Sequence, residues 1–316
     1  MTTVSTTAER EGDAHSGVHY RPGTFADTRA INAVGERSFD DLARRHGWNA
    51  GAPGIDEAGI ERELETQRSL YRHLAETADQ FWVAERQGEI VGYARSIVRG
   101  QLRELTELFV LPQAQAAGIG RELLRRTFPA NRSELRCILA TPDLAALAQY
   151  LRAGLSIRFP NYAFARPPEA NLIQTDLSFD PITVNSETIR EIGTVDQAIL
   201  GHQRDVDHRW LLTERRGLLV RRAGRVVGYG YAGVQSGPFA LLDARDFPAV
   251  LSHAEAIVAN EGHASFSVVV PMVNRTAIDY LLGRGFRLDP FFSYLMSDQP
   301  FGRFDQYIET TPTFFL

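Results

Sequence analysis

Cysteine is nearly absent. Cys137 is the only one in 316 residues, so no disulfide can form within the chain. It sits in the apolar run Leu135 to Ala140, where a thiol reads as a small buried hydrophobe and not as a nucleophile. No apolar stretch approaches the roughly 20 residues of a membrane-spanning helix. Residues 1–17 are polar and lack the apolar centre of a secretory signal, so a cytoplasmic protein without a membrane partner is expected. Runs of lysine or arginine are missing and the net charge is −5, which argues against a nucleic-acid surface.

What is present is a globular mixture, 44% hydrophobic and 23% charged, long enough for two domains. Residues 1–18, rich in Thr, Glu, Gly and Ser, read as a disordered start. Asp27 is placed to cap a helix through Arg45, with Ala30, Ile31, Val34, Phe39 and Leu42 on its apolar side. Gly47 to Gly59 breaks the pattern, and a second helix carries Ile60, Leu64, Leu70 and Leu74. Phe81 to Glu85 and Ile90 to Ala94 then alternate with period 2 around Gln87-Gly88-Glu89, which predicts a hairpin.

The stretch Leu105 to Arg126, LTELFVLPQAQAAGIGRELLRR, carries the most information. It opens as an apolar β-like run to Val110, breaks at Pro112, and passes through Gln115-Ala116-Ala117-Gly118-Ile119-Gly120 into a helix with Leu123 and Leu124. Strand, glycine loop and helix start, in that order, build an anion site, because the first N–H groups of a helix lack intrahelical acceptors and the macrodipole is positive there. The spacing is neither a dinucleotide G-x-G-x-x-G nor a nucleotide P-loop.

This segment resembles the coenzyme A-binding segment of the GCN5-related N-acetyltransferases, Q/R-x-x-G-x-G/A after a strand, here Gln115, Gly118 and Gly120. The resemblance implies that the amides of Gln115, Ala116, Ala117, Gly118, Ile119, Gly120 and Arg121 hold the pyrophosphate of acetyl-CoA. It also implies that the backbone of Leu108, Phe109 and Val110 lines the pantetheine and acetyl group.

The chain then repeats itself. Val83-Ala-Glu-Arg-Gln-Gly-Glu-Ile-Val-Gly-Tyr93 returns as Leu219-Val-Arg-Arg-Ala-Gly-Arg-Val-Val-Gly-Tyr229. Asp143-x-x-Ala146 … Tyr150-x-x-x-Gly154 returns as Asn274-x-x-Ala277 … Leu281-x-x-x-Gly285. Two anchors in the same order predict a duplicated domain. Gly92 and Asp143 lie 51 positions apart, Gly228 and Asn274 only 46, so the second copy is shorter where the first has its glycine loop. Asp243 and Asp246 stand there instead, and carboxylates would repel a pyrophosphate.

Acetyl transfer to an amine needs an acid for the leaving thiolate and a base for the amine. Tyr150 lies in a segment similar to the family's N-x-x-A … Y-x-x-x-G-F, which implies that its hydroxyl donates to the coenzyme sulfur. Asp143 and Leu155 depart from that pattern. Glu104, early in the coenzyme strand, resembles the family's base in position, and Glu107 could serve instead. His202-Gln-Arg-Asp-Val-Asp-His208-Arg-Trp210 contains histidines and carboxylates but no i, i+4 His pair, so no metal is expected and the segment reads as a polar helix end or part of a substrate wall. Phe286, Phe291, Phe292 and Tyr294 read as core strand residues, and Phe314-Phe315 as a docking terminus.

The expected fold is α/β, two tandem acetyltransferase-like domains, each a mixed, mostly antiparallel sheet flanked by helices. The expected boundaries are 19–167 for the coenzyme-binding domain, 168–182 for a linker and 183–316 for a degenerate second domain. Acetyl-CoA as cosubstrate and an amine-bearing acceptor are the expected partners, with direct transfer in a ternary complex. A non-catalytic acyl-CoA-binding, regulatory or interaction protein is the alternative.

Overall fold

The computed structural model describes residues 17–48, 54–129 and 134–316. The chain divides into two compact units: Met1–Val98 with Arg103–Glu134, and Arg99–Leu102 with Leu135–Leu316. The sequence repeat and the compact units therefore divide the chain at different places.

In the first unit, β1 (Val18–Pro22), β2 (Ala78–Arg86), β3 (Glu89–Arg99) and β4 (Leu102–Val110) lie side by side in that order. Val18, at the end of the stretch read as disordered, is buried in β1; residues 1–16 of that stretch lie outside the described residues. The β2–β3 hairpin closes through Gln87 and Gly88, both left-handed at φ 54° and 84°, with Arg86 opposite Glu89. Two left-handed central residues give the turn whose twist matches paired strands.

Helix α1 (Thr28–His46) starts differently from the expectation. Asp27 ends a short 3-10 turn, Phe25–Asp27, and its carboxylate accepts from the Thr24 N–H at 2.8 Å, while Arg21 binds it at 2.7 Å. The aspartate thus reaches back to the preceding turn and makes no side-chain cap on α1. Ile31, Val34 and Leu42 are buried as the spacing predicts, whereas Ala30 and Phe39 face solvent. Helix α2 (Glu57–Thr77) buries Ile60, Leu64, Leu70 and Leu74, with Tyr71 and His73 beside them. Its start is set by Asp56, whose side chain accepts from the Gly59 N–H.

The second unit holds two sheets. In one, β5 (Leu135–Ala140), β12 (Arg287–Ser297), β6 (Ser156–Arg166) and β11 (Phe266–Pro271) follow in that order. Strand β12 pairs antiparallel with both β5 and β6, and β11 pairs antiparallel with β6. Strand β6 of the first copy therefore lies between β12 and β11 of the second, and β12 lies between β5 and β6 of the first. The second sheet has the order β13 (Tyr307–Ile308), β10 (Phe239–Leu241), β9 (Arg225–Ala232), β8 (Arg216–Arg222), β7 (Leu177–Pro181). Strand β7 falls inside the stretch read as a linker. Only Leu177 of its five residues is buried, so the strand has no apolar alternation to announce it.

The duplication is visible element by element. The β8–β9 turn, Ala223-Gly224, repeats the left-handed pair with φ 48° and 76°. Helix α4 (Leu144–Arg152) is capped by Asp143, which accepts from the Ala146 N–H at 2.8 Å. Its counterpart α8 (Arg275–Gly283) is capped by Asn274, which accepts from the Ala277 N–H at 3.1 Å. Gly154 and Gly285 follow these helices at φ 87° and 79°, the left-handed ending that glycine adopts most cheaply.

Candidate active site

The segment Leu105 to Arg126 lies in the first unit and has the strand–loop–helix form its sequence predicts. Strand β4 ends at Val110, a 3-10 turn covers Pro112–Ala114, and α3 spans Ile119–Thr127. Leu111, Ala114 and Ile119 are buried in the unit's core, while Gln115, Ala116 and Ala117 between them are exposed. The loop is thus pinned at both ends and open in the middle. Gln115 adds a tether, donating from Nε2 to the Val110 carbonyl at 3.0 Å.

Two residues of the loop are left-handed: Ala116 at φ 65° and Gly118 at φ 80°. The alanine was not foreseeable from its type, since a Cβ makes this conformation unfavourable by roughly 1–2 kcal/mol. Among the described residues the backbone N–H groups of Ala116, Ala117 and Gly118 make no hydrogen bond, and the first turn of α3 has none within the helix to offer Ile119, Gly120 and Arg121. A row of unspent donors at a helix N-terminus is what an anionic group requires. Arg121 is exposed at its edge, with no ion-pair partner among the described residues. Replacing Gly118 with Asp would put a charge and a disfavoured backbone into this cradle. Calorimetry should show acetyl-CoA affinity falling at least roughly tenfold, about 1.4 kcal/mol; unchanged affinity in a folded variant would sink the loop assignment.

Leu108, Phe109 and Val110 are half-buried, and Phe109 stacks on Tyr93 at 5.7 Å. Gly92 opposite them is tightly surrounded: an added Cβ would lie 3.1 Å from the Phe109 carbonyl oxygen and 3.3 Å from Leu123, so these neighbours would have to give by a few tenths of an ångström. Its repeat partner Gly228 is packed more tightly still, 2.6 Å from the Ala240 oxygen.

Both candidate bases are buried, Glu104 at 1% exposure and Glu107 at 5%. Glu107 accepts from the Tyr93 hydroxyl at 3.1 Å and pairs with Arg95 at 2.6 Å. Arg95 is itself fully buried, its guanidinium 4.6 Å from the centre of the Phe81 ring. Tyr71 donates to Asn32 in the same cluster, at 3.2 Å. The period-2 pattern of β3 gave no sign of this polar seam, because Arg95 occupies a position that an apolar residue would fill equally well. On α1, Glu36 is half-buried, and burial, then the carboxylates of Glu63 and Asp40, push its carboxyl up to about 7. The neutral form is thus favoured on folding, so this group's contribution is fully present below its ordinary value near 4.5 and is lost as pH rises through about 7. Glu36→Gln should match the parent protein's Tm at pH 4 and exceed it at pH 8; equal Tm values at pH 8 would refute the assignment.

Tyr150 lies in the second unit, on α4, and is 4% exposed. Its hydroxyl has no hydrogen-bond partner among the described residues. Burial, and then the Asp143 carboxylate, push its phenol well above the ordinary range, so it remains protonated at neutral pH.

The second copy has no glycine loop. Strand β10 leads through a 3-10 turn, Ala244–Asp246, into α7 (Phe247–Asn260). Asp243 accepts from the Arg245 backbone N–H and pairs with its side chain at 2.6 Å, and Asp246 pairs with Arg222 at 2.7 Å. The Arg245 side chain and then its N–H hold the Asp243 carboxyl down to about 2.

The His202–Trp210 segment runs into a helix that starts at Asp205, as its reading as a polar helix end expects, but several of its polar side chains turn inward. His202, Arg204, Asp207 and His208 are all buried. Asp196 of α5 (Ser186–Ile199) accepts from Arg204 at 3.0 Å and meets His208 Nε2 at 2.7 Å, while His208 Nδ1 meets the Tyr231 hydroxyl at 2.8 Å. Burial alone would raise the Asp196 carboxyl, but Arg204 and then His208 outweigh it and hold the group well below the usual range. Asp207 pairs with Arg99 at 2.6 Å. The partners of these ions come from distant positions, which is why local spacing gave no sign of them. Among the described residues no group of three or more His, Cys, Asp or Glu is arranged to hold a metal, and no helix is long and apolar enough to cross a membrane. Of the aromatic stripe, Phe286 is buried while Phe291, Phe292 and Tyr294 are only half-buried; Phe315 is buried as expected of a docked segment.

Residues 77–154 match the family model for an acetyltransferase (GNAT) domain. Over 72 residues the chain is 42% identical to a GCN5-like protein acetyltransferase of Mycobacterium tuberculosis; that stretch is 21% of this chain and 34% of the relative, so the match spans about a third of the relative's length. A putative acetyltransferase from Pyrococcus horikoshii has a similar fold, with a TM-score of 0.70 over 92% of this chain and 93% of its own at 15% identity. A tandem GNAT protein from the clavulanic acid biosynthesis pathway matches with a TM-score of 0.55 over 90% of this chain and 99% of its own at 12% identity. The resemblance in sequence is thus confined to residues 77–154, while the fold over most of the chain is similar to that of a tandem GNAT protein.

Proposed function

We propose that the protein transfers an acetyl group from acetyl-CoA to the amine of an acceptor, directly, in a ternary complex, using one coenzyme site per chain. The carrying observation is the pinned, outward-facing loop from Gln115 to Arg121, present in one copy and replaced by paired aspartates in the other. In this reading the loop amides bind the pyrophosphate and the backbone of Leu108 to Val110 guides the pantetheine. Tyr150 protonates the departing thiolate, a role supported by a phenol that burial of the residue keeps protonated. Glu104 takes the proton of the amine.

Free thiol released from acetyl-CoA, followed across a panel of small amines, amino acids and peptides, tests the reading. Amine-dependent release is expected, with titration of acetyl-CoA giving one site per chain. Tight binding without release for any amine would favour a coenzyme-binding protein, and two equivalent sites would overturn the assignment of the second copy.

A further inference from the structure

We infer that Asp298, which belongs to the second repeat copy, is a positioning residue for Tyr150. The inference rests on the acid role given to Tyr150 above. Helix α4 carries Tyr150 in its last turn and ends at Ala153, whose N–H donates back to the Gln149 carbonyl and whose own carbonyl has no partner within the helix. That carbonyl accepts from Arg136 Nη2 at 2.9 Å. The Tyr150 carbonyl belongs to the same ending, accepting from the Leu155 N–H at 3.1 Å. A cation at a helix C-terminus satisfies orphan carbonyls and meets the negative end of the dipole, so Arg136 fixes the turn that aims Tyr150.

Arg136 stands on β5, is 7% exposed, and is held by Asp298 through three bonds. Its Nε lies 3.1 Å from Asp298 Oδ2, its backbone N–H donates to Asp298 Oδ1 at 3.0 Å, and the Asp298 N–H returns to the Arg136 carbonyl at 3.1 Å. Asp298 directly follows β12, the strand that the second copy inserts beside β5. A carboxylate from one copy thereby sets an arginine that sets the helix of the acid in the other.

The second copy holds an internal control. Its helix α8 ends at Arg284, whose carbonyl accepts from Arg166 at 2.6 Å, and Arg166 is anchored by Glu255 at 2.7 Å. The tether is alike, but Leu281 stands where Tyr150 would be, so no hydroxyl depends on it.

The test uses the full-length enzyme. Asp298→Asn keeps an acceptor for the Arg136 N–H and removes the charge that holds the guanidinium. Misplacing a catalytic group by about 1 Å lowers rates on the order of 10²-fold. Asp298→Asn is therefore expected to lower kcat at least about tenfold with the KM for acetyl-CoA within about twofold. In a Tyr150→Phe background the same substitution should change kcat by less than about twofold, since the group it positions is gone. Arg166→Lys should lower Tm without this loss of kcat. Should Asp298→Asn not fold, Arg136→Lys, which keeps the charge and loses the fork, takes its place in the same cycle. A parent-level kcat in Asp298→Asn beside a slow Tyr150→Phe enzyme would overturn the positioning role and leave the acid role intact. An equal loss in both backgrounds would show a merely structural effect and overturn it too. A full-speed Tyr150→Phe enzyme would remove the acid role, and the inference with it.

Discussion

Tyr150→Phe is expected to lower kcat by about 10²–10⁴-fold, the range general-acid groups contribute, while the KM for acetyl-CoA stays within about twofold. The substitution removes one oxygen from a side chain that is 4% exposed and whose hydroxyl has no partner among the described residues. No internal hydrogen bond is broken, so folding should be nearly unaffected. An interaction made chiefly in the transition state then accounts for any loss. The pH dependence gives a second reading. The phenol must be protonated to act, and burial followed by Asp143 raises it above its ordinary value of 10.0, so its titration should not reduce kcat anywhere below pH 10. Steady-state rates by thiol release, from pH 6 to 10, check both points. A Tyr150→Phe enzyme at full speed, or one lowered only through KM, would strip the residue of the role.

Local sequence was a sufficient guide to several features that depend on neighbours along the chain, though not to Asp27, whose carboxylate turns back to Thr24 and Arg21. Gly118 before a helix, Asp143 and Asn274 as caps, and the Gly88 and Gly224 turns all have the structure that their own residue types require. Ala116 escaped because its left-handed conformation is imposed by the pinned loop against the preference of its side chain. The buried ion pairs escaped for another reason. Arg95 with Glu107, Asp196 with Arg204, and Arg136 with Asp298 join strands and helices whose pairing is set by the whole fold. The last of these spans 162 positions of sequence. Repeat detection found two copies correctly in outline, yet nothing in the composition of β12 says that it lies between β5 and β6.

That exchange makes truncation at residue 168 the most damaging change to the protein. The sequence treats residues 19–167 as a domain, but β6 of that piece draws both of its neighbours, β12 and β11, from residues beyond 260. Cutting the chain removes every ladder bond on both edges of an 11-residue strand and uncovers one edge of β5. Phe164, fully buried in a cluster built otherwise from residues 177 to 308, would face water; exposing one such phenylalanine alone costs about 1.5–3 kcal/mol. Asp298 would be lost with the cut, leaving Arg136 without its anchor. Marginal stabilities are roughly 5–15 kcal/mol, so residues 1–168 alone should be unfolded or associate through the bared strands. Circular dichroism on heating and size-exclusion chromatography decide the matter. A monomeric 1–168 fragment with a cooperative transition and full acceptor kinetics would show that the second copy serves some other purpose than completing the first.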